Sequence, residues 1–261
     1  MRWGSENPIP KPFAGPARCW GWPPGKPSWW GTIPKTTTWV PFGPDSGPGS
    51  TGVRICWNSC ARRWKVAATL RFRDLEELFS ELDRNFTQVK KSFPKEVRCR
   101  KGCTDCCYAP FDLSLAEALY LAQAFRRLPR RERREVERRL SKYEKDWQEK
   151  VPKPVTPFVL STLRLRCPFL GDRGLCVVYD YRPATCRVYG LPLAIGEETF
   201  VCPRSGFEPG RTYPTVIFPE VLRRLAEISE KILPRGGNLR VSLIGVIRGE
   251  FPGAHLLTQD L

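Results

Sequence analysis

The 261-residue chain has a single histidine, His255, and a single methionine, Met1. One histidine, in a tail flanked by proline and glycine, argues against a mixed Cys/His metal site and against a Cys–His nucleophile. No uninterrupted apolar stretch reaches the roughly 18 residues that a membrane-spanning helix needs, so none is expected. The N-terminus lacks the apolar segment of an export signal. Cysteines that are not exported stay reduced, so the expected compartment is the cytoplasm. A cysteine cluster there reads as metal-binding or redox-active rather than disulfide-bonded.

What the chain has in quantity is cysteine, 11 residues, and positive charge, a formal +16. Such a charge invites a nucleic-acid partner. Two features oppose that reading. Residues 1–65 hold nine Lys/Arg against two Asp/Glu, so much of the excess lies in an atypical segment. Basic residues also crowd the remaining cysteines: Arg98, Arg100, Lys101, Arg164, Arg166, Arg187 and Arg204. Eight thiolates around two divalent ions would keep a net negative charge, and compensating it is an adequate reason for these cations. The expected partners therefore exclude nucleic acid and membrane and leave an unknown protein partner open.

Residues 1–65 contain eight of the nine tryptophans among many Pro and Gly residues, without helical or alternating periodicity. They read as an unstructured Pro/Gly/Trp-rich extension. One explanation is translated upstream sequence ahead of a start near Val66 or Leu70; a native unstructured arm and an aromatic binding arm are the alternatives. Residues 66–261 are expected to form one cysteine-cluster metal-binding domain. Leu75, Leu78, Phe79, Leu82, Phe86, Val89 and Phe93 form one stripe of an amphipathic helix closed by Pro94. Ser114 and Glu117 form a capping box for a second helix. Pro129 suits the first turn of a third, running to about Lys150, whose charges read as a solvated face with local ion pairs. Residues 151–157 are a proline-rich connector. A fourth helix is expected from about Pro219 to Leu233, then a strand over Leu239–Ile247.

The first cysteine run is Cys99-Arg-Lys-Gly-Cys103-Thr-Asp-Cys106-Cys107. A CxxC step lets two thiolates grip one ion from one tight turn, and Gly102 lets the backbone curl. Adjacent Cys106 and Cys107 should point in different directions, serving different metals or leaving one spare. The run ends close to the Ser114 cap, so the dipole of that helix is expected to favour thiolate. The second run opens Cys167-Pro-Phe-Leu-Gly-Asp-Arg-Gly-Leu-Cys176. Gly171–Gly174 reads as a hairpin turn pairing Leu170 with Leu175, which puts Cys167 and Cys176 on one face unless Pro168 disturbs the register. Pro183 can open a short helical turn carrying Cys186, and Cys202-Pro203 follows. Thiolate metal binding is the best reading of this set; structural disulfides and ordinary buried cysteines are the competing ones.

The combination of Cys99, Cys103, Cys106, Cys107, Cys167-Pro168-Phe169-Leu170, Gly174-Leu175-Cys176, Tyr179, Arg182-Pro183, Cys186-Arg187 and Cys202 resembles the YkgJ-like cysteine-cluster (CxxCxxCC) family, a zinc- or iron-chelating domain. The resemblance implies that these eight cysteines are the ligand set. Cys19, Cys56 and Cys60 match nothing in the pattern. A related pattern accompanies flagellin lysine methylation, which keeps a methylation-linked enzyme open.

All-thiolate sites suit an iron–sulfur cluster, expected here as [4Fe–4S], or zinc as the alternative. The expected function is metal binding with a structural, carrier or electron-transfer role and no catalytic residue. An enzyme using the metal centre is the alternative. Cys99, Cys103 and Cys106 have radical-SAM spacing, but Asp105 stands where an aromatic is usual and no strand–helix repeat follows. The expected architecture is mainly α, with irregular cysteine-rich loops, a small β-hairpin and a fold nucleated by metal.

Overall fold

The computed structural model describes residues 72–152 and 163–260. The extension over 1–65, with Cys19, Cys56 and Cys60, and most of the 151–157 connector lie outside the described residues. The described chain is largely helical, with short strands in two small sheets. None of its helices is long and apolar enough to cross a membrane.

Helix α1, Arg73–Ser92, buries Leu75, Leu78, Phe79, Leu82 and Val89. Asp74 and Glu76 in its first turn and Lys90 and Lys91 in its last complement the helix dipole. It stops one residue before Phe93, because the residue preceding Pro94 is pushed out of helical geometry. Strand β1, Asp112–Ser114, leads into helix α2, Leu115–Arg127. The capping box is formed: Glu117 N–H donates to Ser114 Oγ, and Ser114 N–H donates to Glu117 Oε2. Helix α3, Arg130–Lys150, buries Val136, Leu140 and Tyr143. Pro129 sits at its N-cap, extended, rather than inside its first turn. Arg138 pairs with Glu135 as a local ion pair, whereas Arg130, Arg131, Arg133 and Arg134 form no ion pair among the described residues.

Helix α4, Ala184–Val188, is the short turn opened by Pro183. Strands β2, Leu193–Ile195, and β3, Glu198–Phe200, form an antiparallel hairpin around Gly196, whose φ of 64° suits a tight turn. Strand β4, Val216–Ile217, pairs parallel to β2. Helix α5, Phe218–Ile232, follows within a residue of the expected limits. Strand β5, Arg240–Ser242, pairs antiparallel with β1, and helix α6, Leu243–Arg248, comes next. One continuous apolar core joins α1, α2, α3, α5 and α6 and takes in Phe169, Val188 and Leu191 beside the cysteine loops.

Two expectations need correction. The tail is not a strand from Leu239 to Ile247. The Ser242 hydroxyl accepts the Gly245 N–H and starts a helix, which buries Leu243, Val246 and Ile247 at helical spacing until Gly249 ends it. The cysteine hairpin is also out of register by one residue. Leu170 opposes Cys176, not Leu175, as a single bridge. The loop is one residue longer than expected: Gly171 N–H donates to Leu175 O at 2.8 Å, and Val177 N–H to Phe169 O at 3.0 Å. Leu170 N–H also donates to Cys167 O, so the chain turns at Pro168 instead of running straight. The true hairpin of the fold is β2–β3.

Candidate metal centre

The eight cysteines expected as ligands are all free thiols, with Cys202 buried and the others half-buried. Main-chain bonds set their backbones. Cys103 N–H donates to Arg100 O at 2.9 Å, closing a turn that needs the φ of +86° adopted by Gly102. A 3₁₀ turn over Asp105–Tyr108 carries Cys106 and Cys107. Cys167 N–H donates to Cys107 O at 2.8 Å and Leu165 N–H to Tyr108 O at 2.9 Å, which lays the second cysteine segment along the first. From α3, Arg139 Nε donates to Pro168 O at 2.8 Å. On the other side, Gly190 backs directly onto Cys99: a Cβ there would lie 2.3 Å from Cys99 Sγ.

The helix carrying Cys186 is gripped at both ends. Its first residue, Ala184, donates its N–H to Glu117 Oε1 at 2.9 Å, so one buried carboxylate caps the starts of both α2 and α4. Arg187 is buried, stacks over Phe79 with its guanidinium carbon 4.2 Å from the ring centroid, and pairs with Asp83 of α1. Arg182 donates to the other oxygen of Asp83 at 2.9 Å. The Arg182-Pro183-Ala-Thr-Cys186-Arg187 stretch is thus bolted to α1 and α2.

Asp105 joins three cysteine-bearing segments. Its carboxylate is buried and accepts from Arg164 Nη2 at 2.9 Å and from the Tyr189 hydroxyl at 2.8 Å. The Cys202 thiol donates to the same Oδ2 at 3.8 Å. Arg164 also lies over the Tyr108 ring.

Burial and neighbouring groups favour the protonated thiol at Cys99, Cys106, Cys167, Cys176, Cys186 and Cys202. Burial, reinforced by Cys103 and Cys106, pushes Cys99 up to about 11. Burial, then Cys176, raises Cys167 to about 12. Burial dominates at Cys202, also raised to about 12, where Asp105, Cys99 and Cys103 add to it. Cys176 and Cys186 move upward through burial, with Cys106 as a neighbour of both and Arg182 opposing. The upward shift of Cys106 comes first from its hydrogen bond with Cys107 and then from burial.

In the first turn of α2, the Glu117 N–H donates to Ser114 Oγ and the Ala116 N–H to Ser229 Oγ. Of the seven cations named from the sequence, Arg187 pairs with Asp83, Arg164 with Asp105, and Arg166 donates to Gly171 O. Arg182 favours the thiolate at Cys186, and Lys90, whose Nζ donates to Cys99 O at 2.7 Å, favours it at Cys99. Sequence reasoning missed Asp83, Glu117's second bond and Asp105; the signal available for Asp105 was an acidic residue inside the cysteine motif.

The set of eight thiols fits a soft metal ion or an iron–sulfur cluster, being all sulfur. As the side chains stand, no three His, Cys, Asp or Glu groups among the described residues are closed around a point that could hold an ion. Residues 98–203 match the family model described as "CxxCxxCC: Putative zinc- or iron-chelating domain", which supports metal binding by this segment and bears out the cysteine-cluster resemblance over it. No curated protein and no solved structure matches the chain.

Proposed function

We propose that this protein binds metal through the thiolates of Cys99, Cys103, Cys106, Cys107, Cys167, Cys176, Cys186 and Cys202, holding an iron–sulfur cluster of the [4Fe–4S] kind or zinc. The observation that carries the reading is that eight free thiols all lie inside the stretch matching a metal-chelating family, on two segments that the Cys167 N–H to Cys107 O and Leu165 N–H to Tyr108 O bonds lay side by side. A bound cluster would supply one-electron chemistry, and zinc a rigid cross-link between loops. The chain's own residues do the rest. Asp83 and Glu117 hold the Cys186 helix, Gly190 leaves room for Cys99, and Lys90 and Arg182 favour the thiolates. The role is structural, carrier or electron-transferring. Metal contributes folding free energy chiefly in the cysteine loops, where regular structure is sparse. The test is anaerobic purification followed by zinc, iron and sulfide analysis and an optical spectrum. A broad visible band with sulfide identifies a cluster; a colourless protein with stoichiometric zinc identifies zinc. A chain free of both refutes the proposal.

A further inference from the structure

We propose that the solvent face of helix α3 is a docking surface for an acidic segment of a partner protein, engaged by Arg131, Arg134, Arg138, Lys142 and Lys145. The inference is independent of the metal-binding reading above.

The placement of these cations is the first ground. All five are exposed and recur at intervals of three and four residues along one helix. At about 3.6 residues per turn and about 1.5 Å per residue, they fill an arc of about 80° in a row about 21 Å long. Val136, Leu140 and Tyr143, which the core buries, lie on the opposite side. Arg138 pairs with Glu135 and Lys145 with Glu149, whereas Arg131, Arg134 and Lys142 form no ion pair among the described residues.

The cost of the arrangement is the second ground. Arg130 and Arg131 stand in the first turn of α3, and Arg133 and Arg134 follow directly. The partial positive charge at a helix start disfavours cations there, and only Glu132 in that turn offsets it. Local charge that opposes the fold marks a surface with another use. The row runs on for three further turns, so a ligand meets side chains along the helix rather than its end.

The third ground is what can cover the row. The segments outside the described residues cannot supply the complementary charge, because they hold two acidic residues, Glu6 and Asp45. A second copy of this chain, formally +16, would be repelled. Glu135 flanks the row on one side and Glu137 on the other. They would repel the continuous phosphates of a nucleic acid, whereas a protein partner can meet them with its own Lys or Arg. The exposed large hydrophobics among the described residues are Leu175, Tyr179 and Ile217, none of them on α3. The face thus offers neither a platform for stacking bases nor an apolar edge for a membrane. Arg139 of the same helix donates to Pro168 O, so a docked segment lies on the helix that braces the Cys167 loop.

Binding by the anaerobically purified full-length protein tests this at low salt. The probes are a labelled oligoglutamate long enough to span the row, a random-sequence DNA duplex and phosphatidylserine vesicles. The parent is compared with Arg131→Glu/Arg134→Glu/Lys142→Glu and with an equal-charge control, Arg84→Glu/Lys91→Glu/Lys95→Glu, which reverses exposed cations outside α3. The expected result is oligoglutamate binding that weakens about tenfold or more in the α3 variant, through three lost attractions and three new repulsions, and far less in the control. Equal weakening in both triple variants overturns the proposal, because net charge alone would then matter. So does a parent that does not bind oligoglutamate. A larger loss of duplex or vesicle binding than of oligoglutamate binding in the α3 variant also overturns it, in favour of nucleic acid or membrane. If the α3 variant does not fold, Arg131→Gln/Arg134→Gln/Lys142→Gln takes its place, with the same supporting and overturning results.

Discussion

Replacing Glu117 with alanine tests whether one carboxylate organises both a helix start and the Cys186 helix. Glu117 is buried and accepts the Ser114 N–H at 2.9 Å, the Ser114 hydroxyl at 2.8 Å and the Ala184 N–H at 2.9 Å. The hydroxyl can rotate to a new partner, but the two backbone donors cannot. Each buried donor left without an acceptor costs about 1–3 kcal/mol, so Glu117→Ala should lose about 2–6 kcal/mol. Ser114→Ala removes the acceptor for the Glu117 N–H and one donor to Glu117 Oε2, which keeps the Ser114 N–H, and should cost about 1 kcal/mol, as an ordinary N-cap does. Glu117→Gln keeps one acceptor oxygen but turns an amide donor toward the other N–H, so it should fall between them. Urea unfolding of the three variants measures these differences, and metal content is read on the same samples. Glu117→Ala should lower metal content as well, because Ala184 lies two residues from Cys186. A cost for Glu117→Ala no greater than for Ser114→Ala would refute the shared-cap argument.

Gly190→Ala places a methyl group 2.3 Å from Cys99 Sγ and 3.3 Å from Phe86, so it should cost about 1–3 kcal/mol and reduce metal occupancy, measured by unfolding and elemental analysis. In metal-free protein, folded-state values near 11 for Cys99 and near 12 for Cys167 and Cys202 exceed the ordinary thiol value of 9.0. The folded state binds more protons in that window, so the stabilisation is complete below pH 9.0 and lost as pH rises through 11 to 12. A pH series of denaturant midpoints checks the fall, and a midpoint that rises over that range would contradict it. Removing residues 1–65, or replacing Cys19, Cys56 and Cys60 together, should leave metal content unchanged; metal loss in either would place part of the ligand set in that segment.

Much of the fold was readable because it depends on local order. Ser114 and Glu117 are three residues apart, and the apolar stripe of α1 repeats within one helix, so spacing alone locates both. The Pro183 turn that carries Cys186 is likewise local. What failed depends on distant partners or on single-residue register. The Leu239–Ile247 run is apolar and β-branched at either period, and the Ser242 cap decides between strand and helix. One extra loop residue moved the Cys176 partner from Phe169 to Leu170, which alternation cannot foresee. Asp83 bonds to Arg187 and Glu117 to Ala184 across long stretches of chain, so neither contact leaves a spacing signature. The cysteines were legible as a set, but the contact of Cys202 with Asp105 required the fold that brings Cys202 back to the first loop.

The most direct measurement of the central claim is metal per chain, with the optical spectrum, for anaerobically purified protein and for its Cys186→Ser variant. The account predicts stoichiometric iron with sulfide, or stoichiometric zinc, in the parent and a clear loss in the variant, because a hydroxyl replaces a soft thiolate at a ligand position. A parent with no zinc or iron and eight thiols that react freely in the native state would contradict it.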